Sequence, residues 1–163
     1  MRSILRPLAL CLALSAGCSG EAGNVGGDTT TAFKAITNVL DTANYIKASA
    51  LAIFAQLEPL LPDETVDTYK AKFNAALAEV TAAINAAHEA IDAAGPAVSD
   101  EGFFGKETAK LISAGQHLQA ALLEIRSAIP RDSRKLSRGS RSDEPAGLED
   151  FNKAVQQLEQ YEH

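Results

Sequence analysis

Tryptophan is missing from this 163-residue chain, methionine occurs only as the first residue, and the two cysteines, Cys11 and Cys18, fall at its very start. A disulfide framework or a cysteine-rich zinc site is thereby excluded, because either needs several thiols spread through the folded part. Histidine is nearly as scarce, with His88, His117 and His163 the full set. No His-Glu-x-x-His, Glu-x-x-His, Cys-x-x-Cys, phosphate-binding glycine loop or Gly-x-Ser-x-Gly occurs, so the common metal, di-iron, redox, nucleotide and acyl-transfer signatures all fail. Nor is there an apolar run of the roughly 20 residues that a membrane-spanning helix requires. Runs of β-branched residues are few, which argues against strands.

What is present begins with MRSILRPLALCLALSAGCSG. Arginines at positions 2 and 6 precede an apolar stretch from Pro7 to about Ala16, and small residues follow. That order is the plan of a secretory signal. Cys18, directly after Ala16 and Gly17, is left unexplained by an ordinary cleavage site. The stretch Leu14-Ser15-Ala16-Gly17-Cys18 resembles the lipobox of bacterial lipoproteins, with Ser15 in the slot usually held by leucine and Leu14 one place earlier. The resemblance implies cleavage between Gly17 and Cys18, with diacylglycerol thioether-linked to Cys18 as the new first residue. Cys11 then leaves with residues 1–17, and residues 18–163 contain no disulfide. Stable anchoring takes two acyl chains, which such a cysteine carries. Ser19, where an aspartate would hold a lipoprotein of the enterobacterial type at the inner membrane, implies the outer membrane if the organism has one. The competing readings are a secreted chain with a free thiol at Cys18 and a cytosolic chain with an accidental apolar start.

Residues 18–30 are rich in Gly, Ser, Asn and Thr without periodicity, the composition of a flexible tether. Residues 18–163 carry 13 basic and 21 acidic side chains, a net charge of −8, and an exported acidic chain gives no reason to expect nucleic acid. The charge is unevenly spread. Residues 126–141 hold six basic side chains and one acidic, between two acidic regions.

Apolar residues recur at intervals of three and four, the spacing that lines one helix face. The spacing predicts a first helix over 31–61 with Phe33, Ile36, Leu40, Ala43, Ile46 and Ile53 on its face, started by Thr30 or Thr31 and ended by Pro59 and Pro62. A second runs from about Asp63, whose neighbours Glu64 and Asp67 suit the positive end of the helix dipole, to Gly95-Pro96. A third begins near Ser99-Asp100-Glu101 and ends before Pro130. Gly115 on its apolar face is expected to admit the alanine-rich second helix. Short connections make antiparallel neighbours. The fold class expected is all-α: an antiparallel three-helix bundle over 31–129 with coiled-coil-like packing. A basic disordered linker over 130–147 and a short C-terminal amphipathic helix over 148–163 complete the chain. That last helix either docks on the bundle or waits for a partner, and docking is favoured.

In an antiparallel pairing His88 faces roughly residue 106 and His117 roughly residue 77, which sets the imidazoles about 16 Å apart at 1.5 Å per residue. They are read as boundary residues rather than metal ligands. The acidic pairs at 63–64, 100–101 and 143–144 stand at expected helix starts, where the dipole accounts for them. No catalytic residue, metal or cofactor is expected. Arg126, Arg131, Arg134, Lys135, Arg138 and Arg141 form a basic island, read either as a solvated loop or as a contact with anionic lipid, acidic cell-wall material or the acidic faces of the bundle. The function expected is that of a lipid-anchored envelope protein, a helical interaction or structural module with a protein partner or its own copies. The alternatives are a small-ligand-binding or enzymatic bundle and a membrane-active lipoprotein of the lysis or exclusion kind, the latter prompted by ALAIFAQLEPLL in the first helix.

Overall fold

The computed structural model describes residues 29–95, 98, 100, 102–134 and 144–162. All regular structure among them is helical, and the helices pack against one another. Helix α1 is Thr29–Leu57, followed by a 3-10 turn Glu58–Leu60; α2 is Asp63–Ala94, α3 is Gly105–Ala128, α4 is the single turn Arg131–Arg134, and α5 is Leu148–Glu159, continued by a 3-10 turn Gln160–Glu162.

The ends follow from local chemistry. Pro59 tightens the last turn of α1 into the 3-10 form, and Pro62, extended at φ −60 and ψ 138, separates it from α2. Asp63 and Glu64 occupy the first turn of α2, where backbone amides without intrahelical partners favour negative charge. At its far end Gly95 takes φ 70, a conformation that costs a side chain dearly, and donates its N–H to Ile91 O at 3.1 Å.

Two starts differ from expectation. Helix α1 begins at Thr29, so Thr30 and Thr31 lie inside it. Helix α3 begins at Gly105 rather than near residue 100, because Asp100 is used in a turn: its Oδ1 accepts from Gly102 N at 2.9 Å, and Phe103 N donates to Asp100 O at 3.0 Å. An aspartate that satisfies its own neighbours in this way initiates a turn instead of a helix.

Helices α1 and α3 are the central pair. Each touches the other, and each touches both α2 and α5. The core is correspondingly continuous, with Ile46, Ile53, Phe73, Leu118, Leu122 and Phe151 among its fully buried side chains and no polar or charged residue buried among those described. Phe54 and Phe73 stack with centroids 4.1 Å apart, joining α1 to α2. Phe33, expected on the buried face, is 37% exposed; Ala32, Ile36 and Val39 carry that end of α1 instead.

The C-terminal helix is docked. Leu148, Phe151, Ala154, Val155 and Leu158 are all buried, against α1 and α3. Gly115 serves this contact, not the one with α2: a methyl group placed there would lie 3.1 Å from Leu158 Cδ2 and 3.9 Å from Ile46 Cδ1. Gly115 is thus the point at which α3 lets the last helix sink between itself and α1. The stretch expected as a disordered linker also departs in part, since Arg131–Arg134 forms a helical turn immediately after Pro130, a residue suited to the start of a helix because its missing N–H is not needed there.

Candidate functional site

The residues expected to carry function divide into those the structure describes and those it does not. Gly17, Cys18, Lys135, Arg138 and Arg141 lie outside the described residues. Of the basic island, Arg126 sits in the last turn of α3, Arg131 opens α4 and is exposed, and Arg134 closes α4.

Arg126 is drawn into the fold rather than offered outward. Its Nη2 lies 3.0 Å from Glu144 Oε1, and its side chain is only 28% exposed. This pair bridges the end of α3 to the approach of α5. A second tie sits beside it. The Gln56 side chain donates through Nε2 to Ala146 O at 3.1 Å, while its Oε1 accepts from Ala146 N at 2.9 Å. One glutamine near the end of α1 therefore satisfies both backbone groups of a residue 90 positions away, as a neighbouring strand would. Together the two contacts fix where the chain re-enters the bundle, and Gly147, at φ 85, then turns it into α5. Gln56 carries no local mark in the sequence, and Glu144, expected from the sequence at a helix start, instead pairs with Arg126 four residues ahead of α5.

Beside these ties runs an open groove lined by Leu123, Arg126, Ser127, Ile129, Pro130 and Arg131. Leu123 is 44% exposed, so the groove combines an apolar wall with two guanidinium-bearing residues. At the opposite end of the molecule, Ala32, Ile36, Phe104, Gly105, Thr108 and Tyr161 line a smaller cavity. A third depression, between α1 and α5, is bordered by Asp41, Thr42, Tyr45, Asp150, Lys153 and Gln157.

The two described histidines, His88 and His117, stay at the surface. His117 Nδ1 lies 3.0 Å from both carboxylate oxygens of Glu79, two residues along α2 from the position its pairing suggests, and His88 is exposed. Among the described residues no three His, Cys, Asp or Glu side chains converge to hold a metal ion, and no helix is long and apolar enough to cross a membrane.

Surface charge is organised in pairs. The hydrogen bond from Lys70 to Glu58, at 2.7 Å, holds the lysine above its ordinary value, and that from Lys72 to Glu124 does the same for Lys72. On α5 the hydrogen bond between Lys153 and Glu149, at 2.7 Å, holds the lysine above its ordinary value and the carboxyl below its own. These groups are exposed, so water and salt screen them, and they tune the surface more than they hold the fold.

Comparison with protein-family models, with curated proteins and with solved structures finds no match to the chain.

Proposed function

We propose that residues 18–163 form a lipid-anchored protein of the cell envelope, in which an antiparallel helical bundle acts as an interaction or structural module. The observation that carries the reading is the run LSAGC after a short apolar segment, followed by a tether-like composition and then the bundle. An acylated Cys18 supplies the membrane attachment, and the outer membrane is the destination favoured by Ser19.

The antiparallel, coiled-coil-like arrangement has support in the polar contacts between α2 and α3. Lys72 meets Glu124 and Glu79 meets His117, so a step of seven residues forward along α2 matches a step of seven back along α3. Seven residues is one heptad, the interval at which a supercoiled seam repeats. Docked α5 adds a fourth rod to the expected three.

Binding is favoured over catalysis because the interior is given over to apolar packing while the polar chemistry lies outside. The surface proposed for an anionic partner, whether a protein, acidic wall material or lipid headgroups, is the basic segment of Arg131, Arg134, Lys135, Arg138 and Arg141. Arg126 is left out of it, since Glu144 already faces its guanidinium.

Intact mass of the membrane fraction tests the anchor: loss of residues 1–17 with addition of diacylglycerol is expected, and Cys18→Ser releases or stalls the protein. A mature N-terminus elsewhere, with a free thiol at Cys18, refutes it. For the module, changing Arg134, Lys135, Arg138 and Arg141 to Ser is expected to weaken recovery of the partner from detergent-solubilised envelope, in a salt-dependent manner. A small molecule bound stoichiometrically to the purified protein shifts the assignment to the ligand-binding alternative.

A further inference from the structure

The end of the bundle at which α1 begins carries two aromatic side chains that stay partly in water. Phe103, in the turn before α3, is 51% exposed, and Phe33, near the start of α1, is 37% exposed. Both belong to one end of the molecule: their neighbours Ala32 and Phe104 line the same cavity, with Tyr161 and Glu162 of the C-terminal turn beside them. Phe104 is buried and holds Phe103 in an edge-to-face contact, centroids 5.1 Å apart, so the exposed ring is braced from behind. From the proposed anchor at Cys18 to Asp28 there are eleven residues, which span at most about 40 Å when fully extended. Helix α1, with 29 residues, carries the opposite end about 43 Å further away. The phenylalanine-bearing end is therefore the one that the anchor always holds within reach of the bilayer.

We infer that Phe103 and Phe33 dip into the interfacial region of the anchoring membrane, so that the bundle stands on it by this end. The inference rests on the proposed acylation of Cys18 and goes beyond it, since a lipid anchor alone sets a distance and no orientation. Exposed phenylalanines at a turn are the side chains that enter the boundary between headgroups and acyl chains. Charge does not drive the contact: Lys34, Lys106 and Lys110 at this end are matched by Asp92, Asp100, Glu107 and Glu162. The occupant is accordingly the uncharged lipid interface and not a specifically anionic surface. Standing the rod upright also carries the end of α3 and the turn Arg131–Arg134 away from the anchoring membrane.

Because the chain has no tryptophan and Cys18 is the sole thiol of residues 18–163, the test can be made without cellular lipidation. Residues 18–163 are coupled through Cys18 to a maleimide-bearing lipid in phosphatidylcholine vesicles with brominated acyl chains. Four variants each carry one reporter: Phe103→Trp and Phe33→Trp at the near end, Leu51→Trp and Leu123→Trp at exposed positions 45% and 44% accessible, roughly 30 Å along the rods. Circular dichroism verifies that each is helical. Expected are a blue shift and loss of emission for both near-end reporters, beyond anything seen for the two distant ones. Any other ranking overturns the inference: equal quenching along the rod means that it lies on its side, and none anywhere means that this end faces a protein or wall polymer. Should native Cys18 prove unacylated, the anchor reading fails by mass while the vesicle result stands on its own.

Discussion

Gly115 is the position at which the packing makes its sharpest demand. A methyl group there would sit 3.1 Å from Leu158 Cδ2, a few tenths of an ångström inside ordinary contact, while replacing a helical glycine by alanine gains about 1 kcal/mol of propensity. The two nearly offset, since the atom met is the tip of a side chain, and Gly115→Ala is expected to change stability by less than about 1 kcal/mol. Gly115→Leu has no such escape. Leu158 is 1% exposed and Ile46 is fully buried, so the added carbons force α5 outward at a cost of about 1–3 kcal/mol. Leu158→Ala alone should cost about 2–5 kcal/mol through the cavity it leaves, yet that cavity is where the Gly115→Leu side chain would go. The double variant is then more stable than the sum of the singles by about 1–2 kcal/mol, within the range seen for residues in contact. Urea unfolding followed by far-ultraviolet circular dichroism measures all three. Pairing Gly115→Leu with Val80→Ala on α2 should be additive, because a methyl group at Gly115 meets atoms of α5 and α1 and none of α2 within 4 Å. Additivity within about 0.5 kcal/mol for the Leu158 pair, or coupling to Val80 instead, would refute the placement of α5 against Gly115.

Further outcomes follow from the same contacts. Leu118→Asp buries an unpaired charge at a site with no exposure and should cost about 3–5 kcal/mol or abolish folding, whereas Gln116→Ala, which loses only an exposed hydrogen bond to Glu159, should stay within about 0.5 kcal/mol in thermal unfolding. Gln56→Ala removes both bonds to Ala146 and is expected to cost on the order of 1–2 kcal/mol, with hydrogen exchange rising first at the start of α5. The paired charges predict a plateau in melting temperature. Glu149, held low by Lys153, contributes above the ordinary carboxylate value and loses its contribution as pH falls through the lowered one. Lys70, Lys72 and Lys153, held high by Glu58, Glu124 and Glu149, contribute fully below the ordinary lysine value and lose it as pH rises through the raised one. The decline at each end of the scale should shrink in molar salt; one that salt leaves untouched assigns it to other groups.

The helices and their stops were legible in the sequence because they depend on neighbours within a turn: Pro59 and Pro62 close α1, Gly95 closes α2, and Pro130 follows α3. The start of α3 was not, since whether Asp100 caps a helix or makes a turn depends on the geometry of Gly102 and Phe103 behind it. Spacing identifies an apolar face but not which neighbour covers it. Gly115 reads from the sequence as a point of close approach to α2, and the structure gives that place to α5. The interval from Ile36 places Phe33 inside, although Ala32 takes the buried position. Gln56 with Ala146 gives no sequence signal, and Arg126 and Glu144 are visible there only as members of separate charge clusters, because each pair is brought together only after the helices pack.

Because α5 fills the seam between α1 and α3, it has nowhere to bind until those two have met. A chain emerging from its N-terminus completes α1, α2 and α3 with that seam still open, and Ile46 and the face of α3 around Gly115 remain wettable until the last sixteen or so residues follow. The final helix is thus a lid in time as well as in space: a chain that ends early keeps three good helices but displays a sticky trough, the state from which a crowded compartment draws aggregates or recruits a holding chaperone.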